Sequence, residues 1–203
     1  MALGKPVGRG LQRCAGRDGH HDAQIVGDAV RVEADLNLLG LLPLKADASV
    51  ATQSDYGSSN LDYTADYYLV EGTYTVDAFT GGIGIEVLGG DDQRGFQTPL
   101  ATLHKFQGFA DKFLTTPNTG VEDIYAKASF KVGDVGPLSG LNLSAVYHDF
   151  TADVGGADYG SELDLAASAK WDSVRITLKF ADYSADDFAT DTSKFWIQFD
   201  FAL

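Results

Sequence analysis

Three soft donor side chains stand near the start of the 203-residue chain: Cys14, His20 and His21. A closed metal site needs a fourth ligand at a set spacing, and none follows, so incidental donor types in a tail explain them more simply. Ser144 and His148 would share one face of a strand. At about 3.3 Å per residue they lie roughly 13 Å apart, too far for a nucleophile–base hydrogen bond. His148 is therefore expected to face water without a catalytic role, and His104 has no obvious partner. Glu162 and Asp164 also share a face, but Lys170 and Arg175 continue the same pattern. They read as an electrostatic ladder, not an acid/base pair. Gly81, Gly82 and Gly84 fall within a strand pattern and mark kinks or close contacts, not a phosphate cradle. No catalytic residue, no metal centre and no enzyme is expected.

The elements that must position these residues have a period of two. Val30, Val32, Ala34, Leu36 and Leu38 alternate with Arg31, Glu33, Asp35 and Asn37. The alternation resumes through Leu44, Ala46 and Ala48 against Lys45 and Asp47. It continues through Tyr68, Val70, Tyr74 and Val76 against Glu71, and through Ile83, Ile85 and Val87 against Glu86. Later segments set Ile124, Ala126, Ala128 and Phe130 against Lys127 and Lys131, and Leu163 and Leu165 against Glu162 and Asp164. Val174, Ile176 and Leu178 oppose Arg175 and Lys179, and the chain closes on Phe195, Ile197, Phe199 and Phe201. Apolar/polar alternation of this kind specifies strands with one greasy and one polar face. We count about nine strands of about ten residues, long enough to cross a bilayer at a tilt.

The links add independent information. Short ones at about 39–41, 77–78, 133–140 and 172–173 alternate with mostly longer, Asp/Gly/Ser-rich ones at about 55–65, 89–121, 151–158 and 184–192. An outer-membrane barrel sorts its short periplasmic turns and long outer loops in this way. Energy then chooses the faces. A Lys or Arg turned toward lipid at mid-bilayer costs roughly 2–4 kcal/mol. The polar face is thus expected to line water through Arg31, Glu33, Asp35, Lys45, Asp47, Glu71, Glu86, Lys127, Lys131, His148, Glu162, Asp164, Arg175 and Lys179. That wall is mixed in sign, which favours weak selectivity. The competing expectation is a soluble or surface-associated β-sheet binding protein with its apolar face inside, because alternation alone does not say which face is wet.

Composition narrows the classes. The 29 acids against 15 Lys and Arg leave a net charge of -14, so nucleic acid is not an expected partner. One cysteine excludes a disulfide framework. Mean hydropathy is -0.09, with no apolar run long enough for a spanning helix, and neither fact weighs against a barrel. Residues 1–28 show no surviving period and no signal-peptide core. They are expected to be a disordered or non-native tail from a truncated or mis-started gene, with 29–203 forming the sheet.

Loop 89–121 is too long for a plain connection. Leu100, Leu103, Phe106, Phe109 and Phe113 recur at helical spacing, which predicts a short amphipathic helix at about 98–114. It would constrict or cap the mouth through His104, Lys105, Phe106, Asp111 and Lys112. The acid excess gathers in the outer loops and strand ends at Asp55, Asp62, Asp91, Asp92, Asp111, Asp149, Asp153, Asp158, Asp182, Asp186, Asp187 and Asp191. The plain expectation is a solvated surface with no cofactor. The sharper one is Ca²⁺ or Mg²⁺ held there, alone or with lipopolysaccharide phosphates.

Three stretches carry a resemblance. They are Gly95 to Leu114 (GFQTPLATLHKFQGFADKFL), Val146 to Phe150 with Gly155 to Leu165 (VYHDF and GGADYGSELDL), and Ala65 to Glu71 (ADYYLVE). Together, across roughly 29–203, the chain resembles the C-terminal part of alginate-export-family outer-membrane barrels. The resemblance implies a Gram-negative outer-membrane porin of about sixteen to eighteen strands, of which this chain supplies about half. It also implies passive passage of polysaccharide or small solutes, with outer-membrane lipid and lipopolysaccharide as partners. The arginine-rich constriction attributed to that family's polysaccharide exporters has no counterpart here, and no individual binding residue carries over.

Overall fold

A computed structural model describes the backbone at residues 7–10, 24–37, 43–56, 62–98 and 107–201, with side chains at 44–55, 62–98 and 107–201. Ten strands follow in order: β1 (Val7–Gly10), β2 (Gln24–Asn37), β3 (Pro43–Tyr56), β4 (Thr64–Val76), β5 (Phe79–Leu88), β6 (Val121–Val135), β7 (Leu138–Thr151), β8 (Asp158–Trp171), β9 (Val174–Ala185) and β10 (Thr192–Phe201). Each pairs antiparallel with the next, in one sheet whose spatial order is the chain order. Strands β3 to β10 form an all-β, antiparallel arrangement described to its side chains. β1 and β10 end the order unjoined, so the sheet is open and not closed on itself.

Two expectations change. Among the described residues the strands number ten where about nine were expected, with β1 pairing Val7 with Arg31 of β2. The helix at about 98–114 is absent from the described part of that segment, where residues 107–114 form turns and bends. Gln107, Gly108 and Asp111 adopt φ of 57°, 82° and 62°. A right-handed helix needs φ near about -63°, so these left-handed residues exclude it across 107–111.

The link pattern stands where it is described. β4–β5, β6–β7 and β8–β9 join through two-residue turns at 77–78, 136–137 and 172–173. The first residue of each has positive φ (Asp77 49°, Gly136 58°, Asp172 55°). Primed turns of this hand follow the strands' own twist. At the opposite end, 57–63, 89–120, 152–157 and 186–191 make the wider links.

The two faces differ as alternation demands. One carries Val70, Ile83, Ile85, Ile124, Phe130, Leu165, Ile197 and Phe199, all exposed, with Ile83 at 72% and Ile197 at 54%. The other carries the polar set, and the long-link ends of its strands are covered by the chain itself. The buried cluster sits on that polar face. It joins Leu88, Phe113, Val121, Phe150, Tyr159 and Tyr183, with Phe109, Phe188 and Trp196 packed against it. The core is thus a sheet plus a folded-back loop, not two sheet layers.

Candidate functional site

The loop after β5 doubles back over the polar face. Gln97 pins its start to β3: its amide donates to Gln53 Oε1 at 2.8 Å, and Gln53 Nε2 donates to the Gln97 carbonyl at 3.0 Å. Residues 107–116 then form a strap across β5 to β10. Phe113 anchors it, stacked on Phe188 at 5.2 Å and packed 4.7 Å from the Phe150 ring and 5.8 Å from Tyr159. Phe109 meets Trp196 edge-on at 6.5 Å, with Lys179 Nζ 4.8 Å above its ring. Lys194 donates to the Ala110 carbonyl and pairs with Asp111 at 3.0 Å, and Lys112 donates to the Thr190 carbonyl and Thr192 Oγ1. An aromatic side chain buried at this density is worth roughly 3–5 kcal/mol against its removal, so Phe113 is the strap's main attachment.

Beneath the strap lie four carboxylates and one imidazole, all buried: Glu86, Asp123, His148, Glu162 and Asp164. Each acid is held by donors, as buried polar groups must be. Glu86 accepts from Tyr67 Oη at 2.7 Å and Gln107 Nε2 at 2.9 Å. Asp123 meets His148 Nδ1 at 2.8 Å, while His148 Nε2 is 3.8 Å from Asp164. The Phe109 amide donates to Asp164 Oδ2 at 2.9 Å, and the Ala110 amide to Glu162 Oε1 at 2.6 Å. Gly108 completes the contact. A Cβ there would meet the Glu162 carboxyl, and its φ of 82° is one that side chains rarely adopt.

One row below, glycines make room for long side chains. Gly84 lies between Glu71 and Tyr125 in register. The Tyr125 ring crosses it, and its hydroxyl donates to Glu71 Oε2 at 2.7 Å. Lys127 lies over Gly82 in the same manner and reaches Glu71 at 2.6 Å. Glu71 thereby ties β4 to β6 across β5. These glycines are close contacts, as expected for them.

The expected wall residues separate by depth. Glu86, His148, Glu162 and Asp164 lie under the strap, while Lys45, Lys131 and Arg175 are exposed toward the two-residue turns. Asp47, Glu71, Lys127 and Lys179 are half-buried. The Glu162–Asp164 ladder with Lys170 and Arg175 does not form. Asp164 and Lys170 are six residues apart, roughly 20 Å along a strand, and the acids bind strap amides instead. Of the strap residues, Asp111 and Lys112 bind β10 and its approach, and His104, Lys105 and Phe106 lie outside the described residues, as do the side chains of Arg31, Glu33 and Asp35. Asp123 and Gln107 were not among the residues expected on the polar face, where the alternation already puts Tyr125 and Lys194. Continuing the alternation one step before Ile124 puts Asp123 on the polar face, so parity alone could have found it.

Several outer-loop acids build turns. Asp91 accepts from the Gln93 and Arg94 amides, Asp153 from Gly90 and Asp191 from Ala185. Among the described residues, no group of three or more His, Cys, Asp or Glu is placed to hold a metal ion. In comparisons with known proteins, no family model, curated protein or solved structure matches the chain.

Proposed function

We propose that this chain forms part of the wall of a passive outer-membrane channel of the alginate-export type, with further strands completing a barrel around a hydrated lumen. One observation carries the reading. The sheet leaves its apolar face bare from Leu44 to Phe201 and spends its own loop on covering the polar face. A water-soluble sheet does the reverse, because exposed apolar patches on soluble monomers seldom exceed a few hundred Å². Lipid acyl chains are a fitting cover for a band of Ile, Val, Leu and Phe one strand-length tall. The strap narrows the lumen, and diffusing solute or polysaccharide passes along the remaining wall.

The charge left facing that passage is more basic than the full set of polar positions suggests. Glu86, Glu162 and Asp164 are sequestered, while Lys45, Lys127, Lys131, Lys170, Arg175 and Lys179 keep some exposure, against Asp47, Glu71 and Asp200. Passage therefore favours anionic solutes, since a cleft focuses the sign that dominates its wall. No catalytic step belongs to this reading.

The test is refolding of the full chain in the presence of lipid vesicles, followed by flotation and fluorescence quenching by a lipid-dissolved quencher. Flotation of β-sheet protein with the vesicles, with probes at Ile83 and Ile197 quenched from within the bilayer, is the expected result. Protein with intact β-sheet circular dichroism that stays in the aqueous phase would overturn the channel wall and favour a soluble or surface-associated β-sheet binder.

A further inference from the structure

Two atoms in the socket beneath the strap are unmatched. Glu162 Oε2 and Asp164 Oδ1 are buried without a hydrogen-bond partner, although each residue's other oxygen accepts a strap amide. Both residues are 1% exposed. They stand two apart on the same face of β8, so their side chains are neighbours. Two bare carboxylates here would repel one another and leave lone pairs unmet in a dry site. A single proton between the unmatched oxygens removes both penalties, because a protonated carboxyl donates and its neighbour accepts.

We propose that Glu162 and Asp164 hold one proton between them, and that this proton fastens residues 107–113 to the sheet, so that the strap loosens as pH rises. The groups facing the pair come from every neighbouring element. Glu86 on β5 is tied to Gln107, and Asp123 on β6 to His148 on β7. His148 Nε2 lies 3.8 Å from Asp164. Lys179 and Tyr183 approach from β9, Lys194 from β10, and Asp111 and Lys112 belong to the strap itself. Lys179 lies over Phe109, and Lys194 is engaged with Asp111 and the Ala110 carbonyl. Gly108 puts backbone, not a side chain, against the Glu162 carboxyl. Loss of the proton leaves two adjacent charges. The space that would let Glu162 swing away is filled by Gly108 and Ala110, so relief of the repulsion moves the strap.

The proposal does not depend on conduction, and its readout is local. With Trp171→Phe, Trp196 is the one remaining indole, and Phe109 packs edge-on against it. In the full chain folded in detergent, raising pH from mildly acid to alkaline is expected to shift Trp196 emission to the red and to lower the exchange protection factors of the amides at 107–113, each referred to its intrinsic base-catalysed rate. Asp164→Asn supplies a permanent N–H donor to Glu162, and Glu162→Gln does the reciprocal. Each is expected to abolish the transition and keep the strap protected throughout. A wild-type strap insensitive to pH would overturn the proposal. So would a transition that survives in both amide variants, or one that follows sodium or calcium concentration in place of pH, which would put a cation between the oxygens.

Discussion

At the scale of single residues, the face of a side chain was legible and its depth was not. Alternation put Glu86, Glu162 and Asp164 on the polar face, where they are. It could not show that they would be sealed under a strap, because burial there comes from a loop more than fifty residues away in sequence from Asp164. Glycine shows the same division. Gly84 could be read as a close contact, yet the partner emerges only from register, which sets Tyr125 beside it and Glu71 beyond. Gly84→Ala follows from that geometry. The new methyl meets the Tyr125 ring, so the ring must leave and the Tyr125–Glu71 bond is lost. Overpacking typically costs about 1–3 kcal/mol. Urea unfolding in detergent should show a loss of that order, and Gly84→Ala with Tyr125→Ala should regain part of it. An unchanged midpoint for the single variant would mean that the ring does not cross the glycine.

At the scale of elements, strands were legible because every second residue repeats the same instruction over a long segment. The helix at about 98–114 misled because Phe109 and Phe113 have helical spacing for a different reason. Each fills its own pocket, Phe109 against Trp196 and Phe113 against Phe150, Tyr159 and Phe188, with a left-handed Asp111 between them. Spacing reports periodicity only where backbone φ is uniform. The two-residue turns are governed by the same dihedral. Asp77 holds φ of 49° between β4 and β5. Left-handed backbone costs a side-chain-bearing residue about 1–2 kcal/mol, and a β-branched one most. Asp77→Gly should therefore be neutral or stabilising by under about 1 kcal/mol, and Asp77→Val should destabilise by about 1–2 kcal/mol. Chemical denaturation of the two variants side by side checks the order. Equal midpoints would show that the turn does not require its positive φ.

At the scale of the whole molecule, the question is what covers the bare face. Ile83 and Ile197 lie well inside that face, on β5 and on β10, while Trp171 and Phe201 lie at strand ends beside the two-residue turns and the chain's close. Water and lipid make opposite predictions for a lysine placed there. In lipid the cost depends on depth: roughly 2–4 kcal/mol at the midplane, falling to about 0–1 kcal/mol near the interface. In water a lysine in place of exposed isoleucine is neutral to stability and improves solubility. Ile83→Lys and Ile197→Lys should therefore lower the denaturant midpoint in lipid vesicles strongly, and Trp171→Lys and Phe201→Lys only slightly. The grading matters more than any single value, because a general folding defect would not follow depth. If all four variants unfold together, or if the interior lysines make the chain monodisperse without any amphiphile, the apolar face is not turned toward lipid. A channel wall built on it would then have no membrane to stand in.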